Sequence, residues 1–150
     1  SHGRTGRRSS HAAADSIAGV ADLVATSYDA VEAGPHVHRV DEQLMTDAGL
    51  RYEDLVGAVD VVASKPGYGI ISECAANGTA LLYTSRGRFR EYDVLVHGMP
   101  AYVDAAFIEQ DRFVSGAWRE SVDQLLARPG RPRPRSDGAA VAAGWLAERV

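Results

Sequence analysis

Residues 60–83 constrain the fold more than any other stretch. They read Asp-Val-Val-Ala-Ser-Lys-Pro-Gly-Tyr-Gly-Ile-Ile-Ser-Glu-Cys-Ala-Ala-Asn-Gly-Thr-Ala-Leu-Leu-Tyr. Val61, Val62 and Ala63 are apolar on both faces and rich in β-branching, which suits a strand buried in a parallel sheet. Pro66 ends the ladder because it has no N–H to donate. Gly67 and Gly69 allow the chain to turn sharply. From Ile70 the apolar residues recur at helical spacing, through Ile71, Cys74 and Ala75. Asn77-Gly78 supplies a left-handed stop, and Ala80-Leu81-Leu82-Tyr83 is the next strand. The stretch is therefore strand, tight loop, helix, turn, strand.

That shape carries a chemistry. A glycine loop ending at a helix start presents unpaired backbone N–H groups and the positive end of the helix dipole, which together suit a phosphate or another anion. Glu73 follows about one turn into the helix, where a carboxylate can accept hydrogen bonds from vicinal hydroxyls such as those of a ribose. The competing reading is an acidic residue near a helix start, favoured by the dipole, beside a loop that binds nothing.

The rest of the chain extends the pattern. Ala12 to Asp22 reads as a helix, Leu23 to Thr26 as a strand, Gly34-Pro35 as a turn and Val37 to Val40 as a short strand. Asp41 to Leu50 is polar, and Arg51 to Val56 is a short helix leading into the Asp60 strand. Thr84 to Arg90 is a second loop, made cationic by Arg86, Arg88 and Arg90. Both loops leave the carboxyl ends of their strands, so they should face one another across a single crevice, the usual ligand position in such sheets. Glu91 to Val96 begins a helix that Gly98-Met99-Pro100 breaks. Ala105 to Ile108 is a weak last strand. Trp118 to Ala127 is amphipathic, with Trp118, Val122, Leu125 and Leu126 on its stripe. Asp137 caps a final helix whose Val141, Trp145 and Leu146 are expected to face inward. Alternating strands and helices imply a Rossmann-like α/β fold, a parallel sheet of about four to five strands with helices on both faces. The expected organisation is a disordered arm over 1–10, one domain over 11–128, a Pro/Arg linker over 129–136, and a helix over 137–150 packing back on the domain.

Composition excludes several classes. The chain has 150 residues with a net charge of −4, which fits one domain with a real core and argues against a nucleic-acid binder. No apolar run reaches the ~18 residues of a membrane span. The single cysteine, Cys74, excludes an intrachain disulfide, and a cytoplasmic location is the default expectation. His36 and His38 share a strand face, but two ligands are too few for a zinc site, so no metal is expected.

Ser64-Lys-Pro-Gly-Tyr-Gly-Ile-Ile-Ser-Glu73, followed by Gly78-Thr-Ala-Leu-Leu-Tyr-Thr-Ser-Arg-Gly-Arg-Phe-Arg-Glu-Tyr92, resembles the carboxyl-terminal, nucleotide-sugar-binding domain of GT-B glycosyltransferases of the family 28 type. It is also similar to the transferase-like domain fused to some sugar kinases. The resemblance runs from about Arg51 to Trp118. It implies that Gly67, Tyr68 and Gly69 hold the donor diphosphate, that Glu73 binds the ribose hydroxyls of UDP, and that Arg90 and Glu91 touch the donor sugar. Ser64, Lys65 and Arg86 belong to the same two loops and complete the substrate-binding set. No cofactor and no metal are implied, because helix dipole and side chains stabilise the leaving diphosphate. Such enzymes have two domains, and this length holds one. The place of the domain's first strand and glycine-rich loop is taken by Ser1 to Ser10, which has no strand character, with His11 beside it.

The resemblance thus implies half of a GT-B fold lacking its first strand, working with a missing acceptor domain or partner chain, or as a homo-oligomer. The function expected is donor binding in hexosyl transfer from a UDP-sugar. The alternatives are a non-catalytic nucleotide-sugar-binding or partner-packing module, an inactive truncated domain, and a dinucleotide enzyme. The last is disfavoured because Ser72 stands where the third glycine of Gly-X-Gly-X-X-Gly would be.

Overall fold

The structure is a computed structural model, and it describes residues 12–26, 34–88, 90–135 and 137–149. The arm expected over residues 1–10, together with His11 and Phe89, lies outside the described residues. Among the described residues five strands form: β1 (Leu23–Thr26), β2 (Val37–Val40), β3 (Val61–Ser64), β4 (Ala80–Tyr83) and β5 (Ala105–Phe107). All ladders between these strands are parallel, as the alternation of strands and helices requires. They fall into two sheets, β1 with β2 and β3-β4-β5 in order, where the sequence suggested one.

The helices are α1 (12–17), α2 (Glu42–Asp47), α3 (Tyr52–Ala58), α4 (Tyr68–Asn77), α5 (Tyr92–Gly98), α6 (Gln110–Ser115), α7 (Arg119–Leu126) and α8 (Gly138–Ala147), with a 3-10 turn at Met99–Ala101. Two were not expected. Asp41 accepts from the backbone N–H groups of Gln43 and Leu44 and so starts α2. α6 follows β5 directly and ends at Gly116 in the left-handed region.

β4 sits between two cores because its side chains alternate. Ala80 and Leu82 face a cluster with Ala13 and Ile17 of α1, Ile108, and Trp118, Val122 and Leu125 around α7. Leu81 faces the opposite cluster, with Val56 of α3, Ile71, Cys74 and Ala75 of α4, and Leu95 and Met99 around α5. Helices therefore cover both faces of the three-stranded sheet. The β1–β2 pair has a smaller cluster of its own, Ala14 and Val37 with Leu23 and Ala25 packed on it.

Cys74 is fully buried, and burial pushes its thiol up to about 12, with Glu73 adding to the effect. It packs as a small hydrophobe. Gly116 has φ +78°, and a Cβ there would lie 2.2 Å from the Ala13 nitrogen, so α1 docks on a turn that only glycine can make.

The carboxyl-terminal stretch corrects two expectations. Asp137 does not cap α8 through its side chain; its carboxylate pairs with Arg135. Every described residue of α8 is exposed, Val141, Trp145 and Leu146 included, so the inward apolar face foreseen for this helix is not formed. The described residues of the Pro/Arg stretch before it are exposed except the half-buried Pro134, yet the stretch is held. Arg131 reaches the half-buried Asp104 carboxylate at 3.0 Å, and Arg128 donates to the Ala105 carbonyl at 3.2 Å. No described helix is long and apolar enough to cross a membrane.

Candidate functional site

The carboxyl edge of β3 and β4 collects the residues singled out from the sequence. β3 ends at Ser64, whose hydroxyl donates to the Lys65 carbonyl at 3.2 Å. Pro66 is buried, and Gly67 is the N-cap of α4, with no side chain capping the helix. The first N–H groups of α4 are thus without a side-chain acceptor, and they point out of the helix end with its positive pole. The helix starts at Tyr68, two residues ahead of the apolar periodicity, which does not register the exposed Tyr68 and Gly69.

The two glycines act differently from the expectation. Gly67 has φ −150°, an extended conformation open to any residue, and Gly69 is helical. What Gly67 supplies is room: a Cβ there would stand 2.8 Å from Nη1 of Arg86. That guanidinium donates to the Pro66 carbonyl at 3.2 Å. A second link joins the same loops. Tyr68 stands beside the carboxylate of Glu91, the N-cap of α5, and that carboxylate raises the Tyr68 pKa. The loop after β3 and the loop after β4 therefore meet, as their shared sheet edge required. Lys65, Arg88 and Arg90 remain exposed around them.

Glu73 lies one turn into α4, on the side facing α3. Its Oε2 is shut off from solvent and has no hydrogen-bond partner among the described residues. Burial raises the Glu73 pKa, and the nearby Glu53 carboxylate adds to the rise. Tyr52, at the start of α3, is close enough for the Glu73 charge to raise its own pKa, after burial. Asn77 fixes the same interface by donating to the Glu73 carbonyl at 3.0 Å. A buried carboxylate oxygen left without a donor is costly, and among the described residues Glu73 Oε2 is the buried side-chain oxygen left in that state.

Sequence reasoning missed two neighbours. Gln110, at the start of α6, places its Oε1 3.3 Å from the Thr84 hydroxyl and so brings a third loop to the edge. No local motif marks it. Asp22 accepts from both histidines on β2's side, His36 Nδ1 at 2.9 Å and His38 Nε2 at 3.1 Å. The spacing of the histidines was visible, but their shared carboxylate comes from the turn before β1. No group of three or more side chains suited to a metal ion is assembled among the described residues.

The strand order also marks the site. A cleft of about 650 Å³ separates the two sheets, lined by Leu23 to Thr26 of β1 on one side and Val61 to Ala63 of β3 on the other. β1 leads outward to β2, and β3 leads the other way to β4 and β5, so the order reverses at this cleft. At such a reversal open α/β sheets take ligands outside the carboxyl ends of the strands, the edge from which the Ser64 to Gly67 loop leaves β3. Compared with protein-family models, curated proteins and solved structures, the chain matches none.

Proposed function

We propose that this chain is the donor-binding portion of a glycosyltransferase that transfers a hexosyl group from a nucleotide sugar, a UDP-sugar, to an acceptor. The observation that carries the reading is Oε2 of Glu73, left without a hydrogen-bond partner among the described residues, one turn below an uncapped helix start. A ribose diol donates two hydrogen bonds to such a carboxylate while its diphosphate sits at the helix N-terminus.

In the reaction, the acceptor oxygen attacks the anomeric carbon, the bond from that carbon to the β-phosphate oxygen breaks, and the charge passes to the diphosphate. The α4 dipole, its free N–H groups and the cations Lys65 and Arg86 oppose that charge. The acceptor and the base that takes its proton belong to a second domain or chain. A rival reading, a module that binds without catalysing, is favoured by the exposed apolar side chains of α8, which suit a partner.

Thermal unfolding with UDP, GDP, ADP and NAD tests the proposal. UDP at ~100 times its dissociation constant should add about 2.7 kcal/mol, and Glu73→Ala should abolish the shift while the variant still melts cooperatively. No shift with any nucleotide on a cooperatively melting chain would overturn the reading.

A further inference from the structure

The cleft between the sheets has a feature that a small-molecule pocket does not need. Leu23 donates its N–H to the His36 carbonyl, so Leu23 and Ala25 turn their backbone groups toward β2, and by alternation Val24 and Thr26 turn theirs into the cleft. Asp60 accepts from Ala80, so Val61 and Ala63 turn theirs away from β4, into the same cleft. Among the described residues β1 is bonded to β2 alone and β3 to β4 alone. Two strand edges thus face each other, each with a row of donors and acceptors that no described residue pairs, a costly state for half-buried backbone. Leu82, Val122 and Leu126 add apolar surface to the lining.

We infer that the cleft is the seat of a sixth strand, an apolar extended segment of the polypeptide ahead of Ser1 that leads into α1 and pairs with β1 and β3 together. Chain direction supports this occupant. A parallel strand in the cleft followed by α1 would cross to β1 in the direction opposite to the β3-to-β4 step. The right-handed rule then puts the connecting helix on the face opposite α4. α1 lies there, packed with α7 and not with α4. A strand covered on both faces must be apolar. Residues 1–10 hold three arginines and no Val, Ile, Leu or Phe, which is not the composition of such a strand.

The test needs no nucleotide and is independent of the proposed function. Val-Ile-Val-Val-Thr is fused ahead of Ser1, and Val-Pro-Val-Pro-Thr serves as the control. Amide hydrogen exchange is read at Val24, Thr26, Val61 and Ala63, with the α4 amides reporting the state of the fold. The apolar fusion should slow the four edge amides at least about tenfold and raise the melting temperature, and the proline fusion should do neither. A chain that folds only with the apolar fusion supports the same seat. Unchanged exchange, or equal slowing with the proline control, overturns it. A dimer of the unfused chain with these amides already protected also overturns it, since a second copy would then fill the cleft.

Discussion

The Arg86 guanidinium donates to the Pro66 carbonyl at 3.2 Å and passes so close to residue 67 that a Cβ there would lie 2.8 Å from its Nη1. Gly67→Ala should therefore push Arg86 aside at little cost in stability, because the guanidinium sits at the end of a flexible side chain. UDP affinity should fall about tenfold, roughly the worth of one charge-assisted hydrogen bond. Isothermal titration of the variant, beside its melting curve, checks both parts.

Glu73 gives a pH dependence with a definite sign. Its folded pKa is raised, by burial first and Glu53 second. Its contribution is most favourable below the ordinary glutamate range and is lost as pH rises through the folded value. Glu73→Gln should melt at a higher temperature than the wild type at pH 7, and the difference should close toward pH 4. Melting curves across that range decide it, and a constant difference would mean the carboxylate is not desolvated.

Asp22 has the opposite sign. The hydrogen bonds from His36 and then His38 lower its pKa below the usual 3.8. Whatever it contributes is present above that value and fades as pH falls through the folded one. A carboxyl-carbon titration by NMR should place the Asp22 midpoint below 3.8, and the His36→Ala, His38→Ala double variant should return it upward.

Gly116→Ala should be the most damaging small substitution in the chain. It combines a left-handed backbone with a 2.2 Å clash against the Ala13 nitrogen. A loss of about 2 kcal/mol or more is expected, measured by urea unfolding. Release of α1 would also expose Trp118 and shift its fluorescence.

Cys74 should resist thiol reagents in the folded chain. A thiol pushed up to about 12 and fully buried carries almost no thiolate at neutral pH. Its modification by a disulfide reagent should proceed only as fast as the chain opens, and should become immediate in denaturant.

Much of the fold could be read from residue order. The β-branched run at Val61, the stop at Gly78 and the apolar quartet at Ala80 are local signals, and each produced the element it predicts. α2 and α6 were harder, because six-residue helices with no buried residue leave no periodicity to detect. The meeting of the two loops followed from topology. Its chemistry did not: the contact of Tyr68 with Glu91 and the orphaned oxygen of Glu73 depend on which way side chains leave their helices. α8 misled in the other direction, since an apolar sequence marks a surface that wants cover without saying whether this chain supplies it.

Leu81 and Leu82 are neighbours in sequence that belong to different cores. Neither cluster can loosen without moving the strand that walls the other, so the β3-β4-β5 sheet and the helices on its two faces should open as one cooperative unit. The β1–β2 pair shares no ladder with that unit and rests on it through α1 and a few side chains. It is the part of the molecule free to open first, and its amides should mark the lower of two steps in the native-state exchange profile.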